Sequence, residues 1–432
     1  MIAALAATAL GSFGISFPHD RGAVTEGAHT ERRDVQVGGR CGSTQGNAVC
    51  ATGLCCSEEG VCGTGRDVCS SPACQLSFGS GCDGNKSPSG KDTSNVPRPL
   101  FGDVPYGIDI PKCTLPGKVA LTFDDGPNKF TNELLDILKK YNAKATFFVT
   151  AANGGKGQIQ DESSGFRDVV KRMHKEGHQI GSHSWSHENF VAISAEQRRD
   201  QIVKNEIALA DILGFFPTYL RLPYSSWNGE VQSELKEFGY HSIDFNLDTQ
   251  DWKDPNGNYQ IARDSFSSAV SQHSPKDSSF IAVAHDIHEK TVRGYVQFMI
   301  EQAQKFKYDL VTVGECLDDP SNNWYRDVGT GQEWSGPAPR KGQEKSGTPT
   351  STTSPSSTAG GGVQGTTAGS TPASTSSPGP KEGITSASGP NTTRDAAGTA
   401  ATGTPKPSSA ARGVYRLTSG VLLGYIVLFA LV

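Results

Sequence analysis

The sequence predicts an α/β chain: a domain over residues 106–319 built on a parallel sheet, a (β/α) barrel or a doubly wound sheet, preceded by a small disulfide-rich module and followed by a disordered Ser/Thr/Gly/Pro stalk. Three observations predict it. From Tyr106 to Asp319, short apolar runs rich in β-branched residues alternate with longer amphipathic runs. Eight of the 10 cysteines crowd between Cys41 and Cys82. Residues 329–412 carry almost no large apolar side chains, so they cannot bury a core and should stay extended.

Taken in order, residues 1–17 are short, apolar and Ala-rich, which fits a secretory signal, although a basic leading region is missing. Residues 18–40 read as a propeptide-like or flexible segment, with Arg32-Arg33 either a processing site or two solvated arginines. The cysteine density of residues 41–82 calls for an oxidising compartment; structural zinc would want paired Cys-x2-Cys or His ligands, which are absent here. The order Cys41, Cys50, Cys55-Cys56, Cys62, Cys69, Cys74, Cys82, with CCS before Gly60 and CG after it, resembles the hevein-like chitin-binding module. The resemblance implies the pairs Cys41-Cys56, Cys50-Cys62, Cys55-Cys69 and Cys74-Cys82, and a sugar contact at Ser57. Such modules stack aromatic rings on sugar faces. The three positions that usually carry the rings read Glu59, Val61 and Val68 here, so weak chitin affinity is expected.

Residues 83–105, polar and punctuated by Pro and Gly, read as a linker. The strands expected beyond it are Val119–Phe123, Thr146–Val149, Gln179–Gly181, Tyr219–Leu222, His241–Leu247, Phe280–Ala284 and Asp309–Val313. Helices are expected at Thr131–Tyr141, Phe166–Glu176, Ala195–Leu213, Gly229–Phe238 and Val292–Phe306. This alternation argues for a parallel sheet, closed as a barrel or doubly wound, and in either form active residues gather at strand C-termini. Cys113 and Cys316, at the two edges of the domain, would staple its ends if closure brings the first and last strands together. The apolar tail 417–432 follows a polar spacer with small residues upstream. It resembles a glycosylphosphatidylinositol anchor signal, with a single-pass anchor as the alternative. Asn85 and Asn391 begin glycosylation sequons. A secreted monomer, anchored at the cell membrane and wall through lipid, is therefore expected. The net charge of -5 is spread thinly, which excludes nucleic acid as a partner and suits a neutral polymer.

The chemistry gathers at strand ends. VALTFDDGP (Val119–Pro127) is an apolar run delivering Asp124 and Asp125 to a Gly-Pro turn; alternate side-chain directions give the two carboxylates different jobs, and a helix N-cap is the structural alternative. His183 and His187 in GSHSWSH stand four apart, and with Asp125 they make a two-His, one-carboxylate set of the kind a catalytic zinc uses. RLPY (Arg221 to Tyr224), DTQDW (Asp248 to Trp252) and VAH (Val283 to His285) finish further strands. Asp286 and His288 read as solvated loop residues, and the Gly-rich insertion 151–165 as a rim of the cleft.

In that order, TFDDGP, HSWSH, RLPY, DTQDW and VAH resemble the five motifs of the polysaccharide deacetylase family, the NodB-type or family four carbohydrate esterases. With the hevein-like module, stalk and anchor signal, the arrangement looks most like the fungal chitin deacetylases within it. The resemblance implies a distorted barrel and hydrolysis of N-acetyl groups in chitin with Zn2+, or Co2+, held by Asp125, His183 and His187. It makes Asp124 the general base, tuned by Arg221, and gives the Tyr224 backbone N–H to the oxyanion. His285 becomes the general acid held by Asp251, and Trp252 and Val283 line the acetyl pocket, Val283 standing where the family more often has Leu. The competing expectations are another acetylated polysaccharide, such as xylan or peptidoglycan, and a wall protein that binds glycan without turnover.

Overall fold

The computed structural model describes residues 34–253, 259–334 and 336. The expected leader, the Arg32-Arg33 pair, the stalk beyond Gly336, Asn391 and the tail 417–432 lie outside the described residues. Among these, no helix is long and apolar enough to cross a membrane.

Nine parallel strands form the main sheet: β1 (Asp109–Ile110), β2 (Lys118–Asp124), β3 (Thr146–Val149), β4 (Gln179–Ser182), β5 (Tyr219–Leu220), β6 (His241–Ile243), β7 (Leu247–Asp248), β8 (Phe280–His285) and β9 (Asp309–Val311). Their order is β7-β8-β2-β3-β4-β5-β6-β1. One edge of β2 takes β8 along its whole length, while the other is shared between β9, on Lys118 to Ala120, and β3, on Thr122 to Asp124. Ladders on both edges and packing on both faces explain why Val119 to Asp124 are all buried, and why the run is continuously apolar up to its carboxylate.

The sheet is open between its edge strands β7 and β1, and β6 is separated from β7 along the chain at residues 244–246. The expected strand His241–Leu247 divides there, because Arg221 takes the Ile243 and Asp244 carbonyls, at 3.3 and 3.0 Å, and draws the backbone away from a continuous ladder. Tyr219–Leu222 likewise stops at Leu220, before Pro223. The last expected strand ends at Val311, where Thr312 and Glu315 form a capping box that starts a short helix.

Helices α1 (Thr131–Lys140), α2 (Phe166–Lys175), α3 (Ala195–Leu213), α4 (Gly229–Glu237), α5 (Gln260–Gln272) and α6 (Val296–Lys305) cover the sheet. α3 begins at a Ser194/Gln197 capping box and ends at Gly214, whose φ of 82° suits only a glycine comfortably. α5 escapes a reading by apolar runs, since only Ala262, Phe266 and Val270, four apart, are buried in a polar helix. The expected helix Val292–Phe306 opens with a wider π turn, Thr291–Tyr295.

Three boundaries move. Tyr325–Asp327 pairs with Phe215–Pro217, and the Trp334 ring sits 4.0 Å from Phe215, so the domain runs past Asp319 and takes in the start of the expected stalk. The module begins before Cys41, because the Val35 N–H donates to Val49 O and Cys62 N–H to Gly39 O. The expected linker is fixed in place. Arg98 reaches the buried Glu206 with both terminal nitrogens, at 2.7 and 2.8 Å, and Thr93 and Tyr240 hydroxyls donate to the same carboxylate.

Disulfides join Cys41-Cys56, Cys50-Cys62, Cys55-Cys69, Cys74-Cys82 and Cys113-Cys316. The last ties the segment after β1 to the helix after β9, yet β9 pairs with β2 and not with β1, so it braces the flank of the sheet without closing it. Asn85, expected as a glycan acceptor, spends its amide on the Leu76 and Gly79 carbonyls at 2.9 and 3.0 Å. That internal role, in a half-buried turn, disagrees with glycosylation there.

Candidate active site

Each motif ends a strand at the same end of the sheet and faces one cleft of about 410 Å³. At the end of β2 the chain turns left-handed at Asp125, φ 73°, so Asp124 and Asp125 do not simply alternate across the sheet. Gly126 follows because nothing larger fits: a Cβ there would lie 2.2 Å from Asp286 Oδ2.

His187 Nε2 lies 3.1 Å, and His183 Nε2 3.6 Å, from Asp125 Oδ1. The three ligand atoms fall within 4.8 Å of one another. The His183 Nδ1 sits 2.8 Å from the Arg221 carbonyl; a carbonyl only accepts, so Nδ1 carries a proton and Nε2 is the nitrogen turned toward Asp125. Burial holds the His187 imidazole down to about 4, hence neutral at ordinary pH. Burial opposes charge on Asp125, but His187, His285 and His183 outweigh it and keep the carboxyl well below the usual carboxylate range. Asp125 Oδ1 is buried without a hydrogen-bond partner. Two imidazole nitrogens and an orphaned carboxylate oxygen converging on one point fit a divalent cation such as zinc.

Asp124 and Arg221 are buried beside this point. Arg221 Nη1 donates to Asp124 Oδ1 at 2.9 Å and to the Thr122 hydroxyl at 2.6 Å, and its guanidinium lies 4.3 Å from the Phe148 ring centre. Asp124 Oδ2 faces the other way, 3.9 Å from His183 Nε2. Opposite stands His285, its Nδ1 2.7 Å from Asp251 Oδ1. The second oxygen of Asp251 accepts the His285 N–H and the Thr291 hydroxyl, each at 2.8 Å. Burial would lower the His285 pKa, but the Asp251 carboxylate carries it up to about 10. Tyr224, Trp252 and Val283 line the same cleft; Tyr224, at φ 62°, sets its ring against His187.

Three expectations change. Asp286 is buried, because the residue after His285 turns inward, accepts the Thr131 hydroxyl at 2.5 Å and faces Lys156. His288 is half-buried against the His285 ring. Ser57 is buried, and its hydroxyl accepts the Val61 N–H, so little of it is left for a sugar. The motifs had not pointed to Lys156. Its Nζ donates to the Asp125 carbonyl at 2.9 Å, and burial pushes the ammonium pKa down. It comes from the 151–165 insertion, so that loop, expected as a rim of the cleft, enters beneath Asp125 and none of its residues lines the cleft; a lone lysine in a Gly-rich loop carries no signal of this.

Comparison with known proteins supports the same reading. Residues 112–243 match the family described as polysaccharide deacetylase, and residues 40–82 the family described as chitin recognition protein. The chain is 40% identical to a chitin deacetylase of Colletotrichum lindemuthianum over 52% of this chain and 88% of that one. It is also 40% identical to a chitin deacetylase of Arthroderma benhamiae over 53% of this chain and 59% of that one, so it spans less than two thirds of that relative. The solved structure of the chitin deacetylase from C. lindemuthianum matches at a TM-score of 0.50 and 40% identity, covering 52% of this chain and 97% of that one.

Proposed function

The chain belongs to the polysaccharide deacetylase family, and we propose that it hydrolyses the N-acetyl groups of N-acetylglucosamine units in chitin, releasing acetate and leaving chitosan. The observation that carries this reading is the convergence of Asp125, His183 and His187, with a base on one side and an acid on the other. Amide hydrolysis needs an activated water, a site for the developing oxyanion and a proton for a poor leaving amine. When bound by these three residues, zinc or cobalt would supply the positive charge that acidifies water and polarises the acetyl carbonyl. Asp124 takes the proton of the attacking water on Oδ2, since Arg221 occupies Oδ1. The Tyr224 N–H donates to the oxyanion, and His285 returns a proton to the departing nitrogen while Asp251 keeps its ring oriented. Trp252 and Val283 pack against the acetyl methyl.

The disulfide module suits an oxidising compartment, and we assign the chain to the outside of the cell, held by a lipid anchor signalled in the tail. Acetate release from chitin oligomers, compared with acetylated xylan and peptidoglycan, tests the substrate. Release should fall to background after a strong chelator and return with zinc or cobalt. Faster release from xylan or peptidoglycan would move the substrate to that polymer, a reading favoured by Glu59, Val61 and Val68 where the module would need rings. No release from any of them would leave a glycan-binding wall protein.

A further inference from the structure

The disulfide module is held at the rim of the cleft by contacts on both sides of the His183 to His187 loop. The Gly154 N–H donates to Ser71 O, and Arg66 Nη2 to Gly154 O, both at 2.9 Å. Gln197 Nε2 donates to the Ser77 hydroxyl at 2.9 Å, and Lys204 Nζ reaches the Gly84 and Asn85 carbonyls at 3.5 and 3.4 Å. Gly84 approaches so closely that a Cβ there would meet the Ser186 hydroxyl at 2.6 Å. Glu188, next to His187 in sequence, is buried between Ser71 of the module and Ser186 of the barrel. With Arg98 clamping the linker, the module stays where it is.

Beyond Tyr224 lies a second groove of about 410 Å³, walled by Ser43, Thr44, Glu58, Pro72, Ala73 and Gln75 of the module. Tyr224 lines both hollows and stands exposed between them. Hydroxyls, a carboxylate and an amide facing a groove of this size match the hydroxyl and acetamide groups of a sugar. Gln75 is itself held in place by donating to Ser57 O at 2.7 Å. None of Ser57, Glu59, Val61 or Val68, the face such modules ordinarily use, lines it.

We propose that this groove is a subsite for the same polysaccharide chain whose acetyl group is hydrolysed in the cleft, so that the module serves as a specificity wall of the active site. The inference rests on the proposed chitin substrate and adds where the rest of the chain goes. It also accounts for the lost rings: a module fixed beside the reaction need only steer a strand the cleft already holds, and its preset position spares the ordering cost of binding.

The test uses the full chain and the double variant Thr44→Ala/Glu58→Ala; both residues are exposed, away from the cystine core. Acetate release is followed for chitin oligomers of increasing length. The expected result is an unchanged KM for the shortest oligomer hydrolysed, and about a five-fold rise in KM for long ones, with kcat unchanged. The position of the first unit deacetylated should shift as well. Equal KM values for parent and variant at every length, with the same product pattern, would overturn the inference. A parent that releases no acetate from any chitin oligomer would overturn the substrate reading, and this inference with it.

Discussion

Asp124 lines the cleft and Asp251 is buried behind the His285 that lines it, each carboxylate gripped by a nitrogen base, and they are built for opposite work. Asp124 is held by a guanidinium, a permanent cation with no proton to give, and only one of its oxygens is engaged. Asp251 is held against an imidazole, and both its oxygens are spent, on the His285 ring, the His285 N–H and the Thr291 hydroxyl. The first therefore keeps a free lone pair for an incoming proton. The second cannot accept one without breaking its own network, and it makes its partner a proton donor instead. The difference teaches that a carboxylate's role follows from what its neighbour can release and which oxygen stays open.

The comparison breaks most completely at the metal ligands. His183→Ala should abolish bound metal and activity together, measured as metal content per chain alongside acetate release. Asp124→Asn should keep the metal and lose about 10²–10⁴-fold in kcat; a variant turning over near the parent rate would remove Asp124 from the base role. Asp251→Asn should lose less, and its signature is in the pH profile. The His285 pKa is raised by Asp251, so the imidazolium persists up to the folded value and is lost as pH rises through it. Without the carboxylate that value falls, and the basic limb of the kcat profile should move to lower pH; an unmoved limb would detach Asp251 from the acid. Smallest in chemistry is Arg221→Lys. It retains the charge but cannot serve Thr122, Asp124, Ile243 and Asp244 at once, so thermal stability should drop with only a modest fall in kcat.

These two pairs were only half visible in the sequence. Asp124, Asp125, His183, His187, Arg221 and His285 stand at strand ends, where a parallel sheet displays its chemistry, so local pattern suffices to single them out. The jobs of Asp124 and Asp125 depend on the left-handed turn at Asp125 and on the direction of Arg221, which arrives from a strand far along the chain. Asp286 reads as solvated and Lys156 carries no signal because their partners, Thr131 and Asp125, are brought close only by the fold. The same holds for the break in the chain between β6 and β7: its cause is a side chain hydrogen-bonding to backbone, which no apolar period records. Trp334 reads as part of the stalk because polar neighbours hide one aromatic ring's contact with Phe215.

The Arg98 clamp bears on where this molecule tolerates a cut. A shortened chain starting at Tyr106 would look like a clean excision, yet it would take Thr93 and Arg98 away from the Glu206 carboxylate on α3 and leave it the Tyr240 hydroxyl. An uncompensated interior charge of this kind costs about 3–5 kcal/mol. Thr93 and Arg98 travel with the barrel as inherited parts, and the natural seam lies upstream of them.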